Sequence, residues 1–76
     1  MNTWDELLTS RNFSDEEKKE VEQMMSSIKF HFDKEPSMVN FLVVASFEAD
    51  TLSILGTTPK VKELASEMYQ KIKKFL

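Results

Sequence analysis

A chain of 76 residues with no cysteine, one histidine and a net charge of −3 has material for one modest core and none for a disulfide framework or a thiolate metal site. Hydrophobic residues make up 41% and charged residues 30%, with one Gly and two Pro, which excludes the disordered and fibrous classes. A domain of this size buries only roughly 60% of the surface its unfolded chain exposes, so its stability margin is thin, and the lack of cysteine points to a reducing, cytoplasmic compartment.

The first residues, Met1 to Glu6, put Asp5 and Glu6 where a secretory leader carries basic residues, and no leader-like apolar region follows. Thr3 and Glu6 stand three apart before Leu7 and Leu8, as in a capping box, so a short helix from Trp4 to about Ser10 is expected. Asn12-Phe13-Ser14 fits the glycosylation acceptor pattern but lacks the secreted context that gives it meaning.

Ser14 and Glu17 repeat the capping-box spacing, and Asp15, Glu16 and Glu17 place negative charge at the positive end of a second, longer helix. Val21, Met24, Met25, Ile28 and Phe32 draw one apolar stripe at 3.6 residues per turn, and the helix should end near Asp33, before Pro36. Phe30, two residues beyond Ile28, falls on the opposite side and should face outward as a candidate protein contact.

Phe41, Val43, Ala45 and Phe47 alternate with Leu42, Val44 and Ser46, and their β-branched and aromatic content favours a strand. Glu48, Ala49 and Asp50 interrupt that run, and Thr51 to Leu55 reads as a return strand, giving a hairpin with Phe47 opposite Leu52 and Ala45 opposite Ile54. No Asn-Gly or Asp-Gly marks the turn, and a helix over Val39 to Leu55 is the alternative. The longest apolar run, Phe41 to Ala45, is far short of the roughly 20 residues of a membrane span, so no membrane partner is expected.

Thr58 as cap and Pro59 as first helical residue open a last helix, with Val61, Leu64, Ala65, Met68, Ile72, Phe75 and Leu76 on one face and Lys71, Lys73 and Lys74 at its carbonyl end. The expected fold is therefore one α+β domain: short N-terminal helix, long helix, β-hairpin, C-terminal helix, with the helices packed on one face of a small antiparallel sheet. Two strands leave two open edges and put Leu42, Val44 and Leu55 on an uncovered face, so pairing with a second copy is expected to complete the sheet. Phe30, Leu42, Val44 and Leu55 are the candidate interface residues.

Chemistry-bearing constellations are scarce. His31 has no cysteine to activate, no serine is spaced with it and a carboxylate for acyl transfer, and no Gly-rich loop exists to cradle phosphate. Glu16 with Glu20, and Glu63 with Glu67, read as solvated helix faces rather than cation sites. No catalytic residue, metal or cofactor is expected. Residues 1–35 carry nine acids and five bases, and residues 36–76 four acids and five bases, so the lysines of the last helix, Lys60, Lys71, Lys73 and Lys74, are the only candidates for contacting an anion or nucleic acid. One arginine and an acidic balance disfavour that use. The expected function is a small non-enzymatic protein-interaction module, self-associating as a homodimer and open to a second protein.

Overall fold

A computed structural model describes residues 10–76, and the expected Trp4 helix lies outside them apart from Ser10. Three helices follow: α1 (Asp15–Lys34), α2 (Met38–Leu55) and α3 (Pro59–Lys73). Among the described residues there is no strand, which overturns the α+β reading and its antiparallel sheet. The segment read as a hairpin is one continuous helix, and its expected turn, Glu48 to Thr51, lies inside it.

Local chemistry explains each boundary. Ser14 accepts from the Glu17 N–H at 3.2 Å while Glu17 Oε1 accepts from the Ser14 N–H at 2.9 Å, so the capping box forms as its spacing predicts. Asn12, at φ 59°, takes the left-handed turn that Asn tolerates just before it. The α1–α2 turn is pinned by Asn40, whose side-chain amide donates to the His31 and Glu35 carbonyls, and Ser37 caps α2 by accepting from the Asn40 N–H at 3.0 Å. Gly56 ends α2 where space is the constraint: a Cβ there would lie 2.8 Å from the Leu52 carbonyl oxygen. Thr58 and Pro59 then start α3 as expected.

Short turns make the helices run up, down and up. α2 packs most extensively on α3, less on α1, and α1 meets α3 sparingly. The core joins Phe13, Val21, Met24 and Ile28 to Ala45, Ala49, Val61 and Leu64, with Val44, Leu52, Met68 and Ile72 half-buried around it. The stripe expected on α1 thus faces inward as far as Ile28, while Phe32 at 36% exposure stacks edge-on against Phe41 at the outer end. Phe75 and Leu76 lie past the end of α3 and are exposed, so they do not extend its core face as expected.

Two glutamates of α1 clamp the start of α3. Thr57 donates its N–H to Glu20 Oε1 at 2.9 Å and its hydroxyl to Oε2, and Thr58 donates its hydroxyl to Glu17 Oε2. Glu17 therefore sits between two helix N-termini, both positive ends of their dipoles. The Ser14 N–H first, then the Thr58 hydroxyl, hold its carboxyl below the ordinary value of 4.5, against an opposing push from burial. A carboxyl depressed in the folded state contributes stability that is complete above its unfolded value and lost as pH falls through its folded value. Urea midpoints measured from pH 7 to pH 3 should therefore drop below about pH 4.5, and Glu17→Gln should flatten part of that drop; an unchanged profile in the variant would remove Glu17 from the acid response.

Candidate interaction surface

α2 carries the unusual surface of this protein. On an α-helix at 100° per residue, Ala45 and Ala49 point one way, and both are buried, at 2% and 0% exposure. Val39, Val43, Phe47 and Ile54 fall within an arc of about 80° on the far side, and each is more than half exposed, Phe47 at 69%. They form an apolar stripe about 22 Å long, because each residue rises 1.5 Å. Scattered exposed apolar residues are ordinary, but a contiguous stripe of this kind marks a contact surface.

The polar residues interleaved with the stripe are largely turned inward on the helix itself. Ser46 donates its hydroxyl to the Val43 carbonyl at 2.9 Å, Thr51 to that of Phe47 at 2.9 Å, and Ser53 to that of Asp50 at 2.6 Å. A hydroxyl that bonds back to its own helix needs no water, so desolvating this face orphans none of the three donors. Glu48 is likewise engaged, accepting from the Ser27 hydroxyl of α1 at 2.9 Å. Asp50 is left as the one ionisable group on the outward arc.

The sequence-derived interface residues are dispersed. Phe30 is exposed on α1, its ring edge-on to His31 and 4.4 Å beneath the Lys34 ammonium. Leu55 is exposed at the far end of α2, whereas Leu42 and Val44 are half-buried. Val44 packs against the core, so a polar replacement there tests stability as well as assembly. Leu42, Val44 and Leu55 were grouped by the alternation of a strand and Phe30 by its place opposite Ile28 on α1; helical geometry separates Leu42 from Leu55 by about 20 Å along the axis. Val43, Phe47 and Ile54 were expected on the sheet face that the helices cover, and all three are exposed instead; with Val39 their spacing of four, four and seven is the helical signal that identifies the stripe.

The lysines do not converge either. Lys60 donates to the Asn12 carbonyl at 3.1 Å, near the start of α3, while Lys71, Lys73 and Lys74 lie at its other end, roughly 20 Å away for 14 residues. Lys73 is 6.0 Å from the Tyr69 ring. His31 is exposed, and among the described residues no group of three His, Asp or Glu side chains is placed to hold a metal ion.

A separate cleft of about 360 Å³ opens between α1 and α2, lined by Met25, Ile28, Lys29, Phe32, Met38 and Phe41. Lys29 at its edge is paired with Asp33 at 2.7 Å. Lys29 is the one polar residue of the lining and its ammonium is engaged by Asp33, so the cleft has the character of an apolar crevice rather than a catalytic site. By length and composition Met38–Leu55 is also long and apolar enough to cross a membrane, contrary to the expectation from its short uninterrupted run. Comparison with protein-family models, with curated proteins and with solved structures finds no match to this chain.

Proposed function

We propose that this chain is a small non-enzymatic protein-interaction module, and that it binds through the outward face of α2. The exposed stripe Val39, Val43, Phe47 and Ile54 on a helix whose other side is already packed is the observation that carries this reading. A helix seated by one face and apolar on the other presents the anchors of helix-to-helix recognition. The lysine-based alternative, an anion or nucleic-acid binder, is not favoured, because Lys60 stands apart from the three C-terminal lysines.

A lipid occupant fits less well. α2 has Glu48 and Asp50 within its 18 residues and no basic residue to meet anionic headgroups, and an aspartate at a membrane-helix centre costs about 2.5 to 3.5 kcal/mol on insertion scales. Ala45, Ala49 and the Glu48–Ser27 hydrogen bond also tie α2 to its neighbours.

A photoreactive phenylalanine analogue introduced at Val43 tests the reading in cells, with Gln70 on the polar side of α3 as the control position. Irradiation should give a discrete protein adduct from position 43 and none from position 70. Adducts to lipid alone, or no adduct above the control, would overturn it.

A further inference from the structure

Among the described residues, charge is sorted along the direction of the helices. Residues 26–46 and 68–76 occupy one end, where α1 finishes, α2 begins and α3 finishes, and they hold five lysines against Asp33 and Glu35, net +3. Residues 10–25 and 47–67 occupy the other end and hold nine acids against five bases, net −4. The molecule is thus a dipole lying nearly parallel to the apolar stripe of α2.

Resting on the interaction-face reading, we infer that the occupant of that face is a second copy of this chain, bound with the two α2 helices antiparallel. An isologous contact requires a patch complementary to itself; the stripe meets the requirement in apolar register, and the oppositely charged ends of the molecule meet it in charge. With the two-fold axis passing between Ser46 and Phe47, Val39 of one copy lies opposite Ile54 of the other, and the two Phe47 rings flank the axis. The same arrangement lays the positive end of each copy along the negative end of its neighbour. It carries each Asp50 to the level of the second copy's Val43, toward the lysine-bearing end. A parallel pair does the reverse: it sets Asp50 against Asp50 and like ends side by side, which is repulsive. The hydroxyls of Ser46, Thr51 and Ser53, already bonded within the helix, lose nothing when the contact excludes water.

The absence of cysteine makes orientation directly readable, because any introduced thiol is the only one. Val39→Cys and Ile54→Cys, mixed one to one and oxidised, should give mainly the mixed disulfide, with little product from either variant alone. Light scattering of the wild type over a concentration series should show the mass rising from 8.9 kDa toward twice that value, and the association should weaken several-fold between low and high salt. Phe47→Asp, at an exposed position, should raise the dissociation constant by about tenfold or more with unchanged helical circular dichroism; Val43→Lys gives a second disruption if the first variant folds poorly. A wild type that stays monomeric throughout, or a Val39→Cys variant that links to itself faster than to Ile54→Cys, overturns the antiparallel pair. A monomer that still yields a foreign protein adduct from position 43 in cells removes the second copy and leaves the interaction face standing, whereas a monomer without any adduct removes both.

Discussion

Leu64→Ala should lower the free energy of unfolding by about 3 kcal/mol, a large fraction of what a core this small can supply. Leu64 is 3% exposed and belongs to the one core cluster, on the helix whose start the clamp from Glu17 and Glu20 ties to α1. Truncation removes transfer free energy and leaves a cavity that helices tied at that end cannot readily close. Phe47→Ala removes a larger side chain, yet at 69% exposure it should change the stability of the monomer by no more than about 0.5 kcal/mol. Urea denaturation of both variants in dilute solution, below the concentration range of association, checks the contrast. Equal losses would mean that Phe47 is covered within the monomer, and the α2 stripe would cease to be a free surface.

The helix ends were legible in the residues because capping is local chemistry. Ser14 with Glu17, and Thr58 with Pro59, satisfy or omit the same backbone donors wherever the rest of the chain goes, and both starts form as their spacing indicates. The inward stripe of α1 was legible for a related reason: Val21, Met24 and Ile28 recur at helical spacing among strongly polar neighbours.

α2 was misread because it lacks that contrast. Its residues are apolar on both sides, so alternation and helical periodicity each find support, and the β-branched and aromatic side chains of Phe41 to Phe47 tip the balance toward a strand. Tertiary packing decides otherwise. Ala45, Ala49 and Leu52 stand at i, i+4 and i+7 and supply a seam of mostly small residues facing the core, and neither Gly nor Pro interrupts the run between Pro36 and Gly56. The missing Asn-Gly or Asp-Gly was the sign that no tight turn exists at Glu48 to Asp50. The interface candidates moved with the period. A spacing of two selected Leu42 and Val44, and a spacing of four selects Val39, Val43 and Phe47. Self-association, first expected from open sheet edges, now has to rest on an outward helix face, which changes the residues whose replacement should dissociate it.

Ala49→Leu should destabilise the protein by about 1 to 3 kcal/mol, the range seen when a well-packed core is forced to take extra methylenes. Ala49 has no exposure at all and belongs to the core cluster on the inward side of α2, the helix that packs on both of the others. Alanine there lets the two backbones approach, and a leucine must push the helices apart or leave its preferred rotamer. Helix propensity offers no competing explanation, since Ala and Leu rank close together among helix formers. Val43→Leu adds bulk to the outward face of the same helix and should be near neutral in dilute solution. The pair of variants also separates the two readings of this segment. In a hairpin Ala49 would occupy a solvent-facing turn between Glu48 and Asp50, where leucine is tolerated, whereas in the helix it is fully buried in the core. A thermal midpoint that falls for Ala49→Leu and holds for Val43→Leu fixes which side of α2 is inward, and with it which side is left to meet a second copy.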